Sequence, residues 1–206
     1  MKILRLLLAI IVAVSVFSCK KEKTFTDLVP EELKPYSMFQ VGSYWIYLNE
    51  QTAKLDCTYI KSPPEFSFYY FESGSRIQSM GLQYNGSFIS QAYCEPYGVG
   101  TSSYSLTYRI AGRNGISLIS SHITPGYVSQ ESYWEYKVLS ITDSLNLNDV
   151  KYNEVITTQY KMVSYPSMDS IVLTFYLAKK IGLIKFNKKV NSTDTIWSLI
   201  RSHALQ

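Results

Sequence analysis

From Tyr36 onward the chain breaks into short runs of aromatic and β-branched residues, each bounded by Gly, Pro, Asn or Asp. Runs of that length are too short for a helix that buries one face over several turns, but they fit strands. In Tyr133-Trp134-Glu135-Tyr136-Lys137-Val138, Trp134, Tyr136 and Val138 share one face and Glu135 and Lys137 the other. That alternation belongs to a half-buried antiparallel strand. Residues 43–48 follow a turn signal at Gly42, and residues 66–71 follow Pro63-Pro64. Asn85-Gly86 lies between Leu82-Gln83-Tyr84 and Ser87-Phe88-Ile89 and suits the two positive-φ positions of a type I′ hairpin. Residues 103–110 and 116–119 flank Gly112-Arg113-Asn114-Gly115 and predict a second hairpin. Residues 152–163, 171–177, 183–186 and 195–200 complete the series.

The pattern predicts an all-β fold: an antiparallel curved sheet, barrel-like or sandwich, of about ten short strands with little helix. No linker divides it, so residues 36–206 read as a single β-rich domain. Ahead of it, residues 19–35 read as a tether rich in Lys, Glu and Pro. Within this tether Pro30-Glu31-Glu32-Leu33-Lys34 could make one helical turn that Pro35 stops.

Composition narrows the function classes. Lys2 and Arg5 fall in the first eighteen residues; without them the formal net charge drops from +4 to +2, too balanced for a nucleic-acid binder. The 18 Tyr are the compositional outlier, and Tyr favours strands and half-buried sites because an apolar ring carries a polar tip. Only His122 and His203 represent histidine, with no neighbour at metal-ligand spacing. No catalytic or phosphate-binding motif is present, and the sequence predicts neither an enzyme nor a cofactor. Glu65, Glu72, Glu95, Glu131, Glu135, Asp143 and Asp169 could in principle supply a carboxylate pair, but nothing marks two of them as partners. Asn146-Leu147-Asn148-Asp149 lacks the ligand spacing of a calcium loop and reads as a turn.

The first nineteen residues carry a basic start, an apolar run from Leu6 to Phe17, and Ser18-Cys19. The run is short for a membrane span. Val16-Phe17-Ser18-Cys19 resembles the lipobox of bacterial lipoprotein signal peptides. The resemblance implies a signal peptide over 1–18, lipidation of Cys19, and attachment to the outer membrane through an N-terminal lipid anchor. With Cys19 acylated, Cys57 and Cys94 remain as a possible disulfide or as two separate thiols.

Four further segments are similar to those of small envelope lipoproteins of Bacteroidota. They are residues 39–47, 151–156, 176–185 and 197–199, the third containing Ala178-Lys179-Lys180-Ile181-Gly182-Leu183-Ile184-Lys185. That resemblance implies lineage and location but no catalytic residues. Asp143-Ser144, Asp169-Ser170 and Asp194-Thr195 resemble the O-glycosylation pattern of the same group, and also ordinary turn-to-strand junctions.

The resulting expectation is a non-catalytic, ligand-binding or scaffolding lipoprotein of the envelope, facing periplasm or exterior, with a glycan, lipid or envelope protein as partner. A carbohydrate-binding accessory protein is the alternative, with Tyr93, Tyr97, Tyr104 and Tyr108 as candidate ligand-contact aromatics, and an envelope hydrolase is the second alternative.

Overall fold

The computed structural model describes residues 26–70, 76–86, 89–96, 104–110, 116–120, 123–131, 134–162 and 170–206. Within them fourteen strands form one sheet, curved but not closed. They are β1 (Thr26–Asp27), β2 (Tyr44–Asn49), β3 (Leu55–Ile60), β4 (Glu65–Tyr70), β5 (Arg76–Asn85), β6 (Ile89–Pro96) and β7 (Tyr104–Ile110). β8 (Ile116–Ser120), β9 (Val128–Glu131), β10 (Trp134–Leu147), β11 (Val150–Met162), β12 (Ile171–Ala178), β13 (Gly182–Val190) and β14 (Thr193–His203) follow. The lateral order is β8-β7-β6-β5-β3-β2-β14-β13-β12-β11-β10-β9, with β1 and β4 also paired to β5. Every pairing is antiparallel except that of β1 with β5. Register shifts interrupt five of these ladders, as between Leu199 and Arg201 of β14. Each bulge adds local bend and twist, which curls the sheet.

The inner face is filled. Trp45, Tyr47, Leu82, Val138, Leu173, Phe175, Leu177 and Phe186 are all buried. Phe175 stacks on Phe186 at 5.1 Å between ring centres, Tyr160 meets Phe175 edge-on, and Phe39 meets Trp45 edge-on. Offset and edge-on ring pairs add about 0.5–1.5 kcal/mol each beyond area burial. The face pattern expected for β10 holds: Tyr136 and Val138 are buried while Glu135 and Lys137 are half-exposed.

Three expectations need correction. The first is the tether. Thr26–Asp27 already pairs with β5, and Val29 and Leu33 are buried in the core, so the fold begins about ten residues before Tyr36. A turn closed by Leu33 N–H to Pro30 O leads into helix α1 (Lys34–Ser37). Pro35 sits in the first turn of α1 and does not end it, because a first-turn residue needs no N–H partner.

The second is Asn85-Gly86. The expected hairpin forms, β5 pairing with β6 out to Gln83 with Gln91, but neither Asn85 nor Gly86 has positive φ, so no type I′ turn forms there. β5 runs on to Asn85 and pairs Tyr84 and Asn85 with Ile60 and Tyr59 of β3. Gly86 is needed for closeness: a Cβ on it would lie 2.4 Å from Thr58 Oγ1. A two-residue turn with both residues left-handed forms instead at β10–β11, where Leu147 pairs with Val150 and Asn148 (φ 51) and Asp149 (φ 62) make the turn.

The third is the disulfide. Cys57 is an exposed free thiol on β3, opposite Ile46. Cys94 lies on β6, opposite Met80 of β5. With β5 between them, two strand spacings of about 4.8 Å exceed the Cα separation of about 4.4–6.8 Å that a disulfide spans.

Candidate functional site: a notch in the sheet

The segments at 41–45, 151–156 and 178–185, distant in sequence, converge on the turn between β12 and β13. Lys180 (φ 64) and Gly182 (φ 87) are both left-handed and turn the chain back tightly. The turn is held from three sides. Lys180 N–H donates to Pro35 O at 2.7 Å, tying it to α1. Trp45 Nε1 donates to Ile181 O at 2.7 Å, and Tyr47 Oη donates to Leu183 O at 2.8 Å. Lys179 N–H donates to Glu154 O at 3.2 Å, while its Nζ meets Glu154 Oε2 at 2.6 Å.

Glu154 itself is left-handed at φ 48, which is costly for a residue with a side chain and brings its carbonyl to this junction. The same carbonyl accepts from Tyr36 Oη at 3.3 Å. Burial, together with the Glu154 carboxylate, pushes the Tyr36 phenol up to about 12. Burial also raises the Tyr152 phenol. Both therefore stay protonated, neutral donors at any ordinary pH.

Because this hairpin turns early, the sheet has a notch above it. β12 meets β11 only as far as Val155, opposite Ala178. β13 meets β14 only as far as Ser198, opposite Lys185. Beyond Val155 the edge of β11 runs on as one wall, residues 150–154, while β13 continues to Gly182 without pairing to β14, whose residues 199–203 form the other wall. The β10–β11 tip leans across and closes one end, Asn148 Nδ2 donating to Leu199 O at 3.2 Å. The cleft so enclosed has a volume of about 450 Å³ and is lined by Lys151, Tyr152, Asn153, Lys179, Ile200 and Arg201 among others. A second concavity, about 300 Å³, lies beside α1 against Met38, Phe39 and Pro64.

The notch is basic. Lys151 and Arg201 are exposed and make no ion pair among the described residues. Lys179 is already shared with Glu154, and Asp149 is the other acid near the rim. The bulge at Ile200 presents that residue 43% exposed at the wall beside Arg201. Cationic heads, apolar patches and open strand edges are suited to an anionic ligand. Among the described residues no group of three metal-ligating side chains comes together.

The residues singled out from sequence lie elsewhere. Tyr93 and Tyr108 stand opposite Thr107 and Ala92 on the β6–β7 ladder, and Tyr104 stands opposite Pro96. Tyr97, Cys19, residues 1–18, His122 and Asp169 lie outside the described residues. His203 ends β14 and lies 5.9 Å from the Tyr44 ring. Asp143-Ser144 is exposed on β10, and Asp194 is exposed at the start of β14. Sequence reasoning missed Lys151, Arg201 and Ile200 as a set; the repeated basic residues around 178–185 were the available signal. Comparison of the chain with family models, with curated proteins and with solved structures gave no match.

Proposed function

We propose that this chain is a lipid-anchored, non-catalytic module of the bacterial outer membrane that binds or scaffolds a partner through its outer surface. The observation that carries this reading is the filled inner face. Trp45 and Tyr47 cross it to reach the carbonyls of Ile181 and Leu183, and the Phe175–Phe186 stack occupies the middle. A curved sheet used this way has little room for a ligand inside, so recognition passes to the rim, where the basic notch lies. The lipobox-like Val16-Phe17-Ser18-Cys19 supplies the membrane attachment.

The test is metabolic labelling of the full chain in a Gram-negative host with an alkyne fatty acid, followed by membrane fractionation. The wild-type chain is expected in the outer-membrane fraction and labelled, and Cys19→Ser unlabelled and released from it. An unlabelled wild-type chain in the soluble fraction overturns the anchor.

A further inference from the structure

The notch has a feature that a simple anion pocket does not need. Both of its walls are strand edges. Among the described residues, no strand pairs with residues 150–154 of β11 or 199–203 of β14 on the sides that face each other. Backbone N–H and C=O groups must find partners, and an unpaired edge is a template for another strand. The fold already satisfies one such group with a side chain: Asn148 takes the Leu199 carbonyl. Asn148 thus occupies the end of a track along which a ladder could continue.

We propose that the notch receives an extended acidic segment of a partner protein, which adds as a short strand along the β11 edge. This is recognition by β-augmentation, in which backbone bonds give affinity and side chains give selectivity. The dimensions fit. Residues 150–154 offer an edge of about 16 Å at roughly 3.3 Å per residue. β12 ends at Ala178, opposite Val155, so among the described residues no strand lies beside residues 150–154 on that side, which leaves room there for one strand.

Charge selects the occupant. Lys151 and Arg201 stand on opposite walls without ion-pair partners among the described residues, and Lys179 lies at the floor. An alternating guest strand that places Glu or Asp on the face toward these groups gains charge-assisted bonds. The chain's own N-terminal segment does not meet this requirement, because Lys2, Arg5, Lys20, Lys21 and Lys23 make it basic. Ile200, Ile181 and Val150 offer apolar contacts to the alternate residues.

The proposal rests on the outer-surface reading above but is tested separately from the anchor. The full chain in detergent is titrated against a fluorescein-labelled peptide of about eight residues, a usual strand length, alternating Glu and Val. Binding is read by anisotropy. The Glu–Val peptide is expected to bind, and raising the salt should weaken it. Lys151→Glu with Arg201→Glu should weaken it at least about tenfold, with Arg201→Gln alone giving a smaller loss; thermal midpoints check that each variant is folded. N-methylation of alternate peptide nitrogens should cost a similar factor, since it removes backbone donors but no charge. Equal binding of the N-methylated peptide overturns augmentation and leaves a plain anion cleft. Equal binding of a Lys–Val peptide, indifference to the charge reversals, or no binding up to ~1 mM also overturns it. Peptide binding without fatty-acid labelling removes the anchor and keeps the notch; labelling without peptide binding does the reverse.

Discussion

Replacing Gly86 with alanine separates two physical roles for one glycine. As the second residue of a type I′ turn, Gly86 would be required for its positive φ, and Gly86→Ala would cost about 1 kcal/mol whatever lies nearby. The structure assigns it another role. An alanine Cβ would lie 2.4 Å from Thr58 Oγ1 and 3.1 Å from both Cα and Cβ of Thr58. Carbon atoms prefer about 3.5 Å or more, so even the backbone contact is short by about 0.4 Å. The strain falls where β5 meets β3 through two residue pairs, Tyr59 with Asn85 and Ile60 with Tyr84. Overpacking of this kind costs about 1–3 kcal/mol, and a joint this short places the cost toward the upper end. Thr58→Ala alone forfeits the Thr58 Oγ1–Asp56 Oδ2 hydrogen bond of 3.0 Å, about 1 kcal/mol. It also removes the atom that clashes most. The double variant should therefore be more stable than the sum of the singles by about 1 kcal/mol. Urea unfolding of the four proteins measures this directly. Additivity within about 0.3 kcal/mol would refute the close-approach argument and restore the turn.

Leu33→Ala tests where the fold begins: Leu33 is fully buried, so the loss should be about 2–5 kcal/mol, whereas a tether residue would give under about 0.5 kcal/mol by denaturant midpoint. Thr158→Val should stabilise, because Thr158 is fully buried and its Oγ1 has no hydrogen-bond partner among the described residues; a gain of about 1 kcal/mol raises Tm by about 2–4 °C, readable by calorimetry, and a loss would mean the hydroxyl is bonded. Alkaline titration should weaken the fold as Tyr36 ionises. Its phenol is raised from 10.0 to about 12, so its contribution is complete below pH 10 and is lost as pH rises toward 12. Tyr36→Phe should flatten part of that loss in pH-dependent unfolding, and Tyr152, raised by burial, accounts for a further part.

The strands legible in the sequence are those whose buried face is apolar. β10 shows this, with Trp134, Tyr136 and Val138 alternating against Glu135 and Lys137. β3 was not legible because its polarity is inverted. Asp56 and Thr58 point inward and bond to each other, while Leu55, Cys57 and Tyr59 face outward. Alternation alone would have placed that strand the wrong way round, since a buried Asp is worth keeping only when its partners are already there. The start of the domain was hidden for a related reason. Val29 and Leu33 sit in a short stretch rich in charge and Pro with no strand or helix period, and their burial comes from the rest of the fold. Turn chemistry misled in one place and hid in another: Asn85-Gly86 fits a close approach, while Asn148-Asp149 makes the left-handed turn without a glycine.

The notch was legible only in its hinge. Gly182 and the lysines around it mark a tight return, and that part of the chain reads locally. What the return leaves behind does not. The walls exist because β10, β11 and β14 continue past the point where β12 and β13 turn back, a comparison among strands up to about fifty residues apart. Lys151 and Arg201 face one cleft only after the bulge at Ile200 and the left-handed Glu154 have set the edges beside each other. Each is an unremarkable basic residue in its own strand. The consequence for design is asymmetric. Lengthening the β12–β13 hairpin by one pair of residues would extend both strands by about 3.3 Å into the notch and narrow the cleft. It would keep the Phe175–Phe186 stack in the middle of the sheet, but it would displace the turn atoms that Pro35, Trp45 and Glu154 now hold. Such a variant should unfold somewhat more easily than the parent, because the turn loses these bonds, and should bind the acidic peptide more weakly although every charge is kept, which separates the role of the open edges from that of the charges.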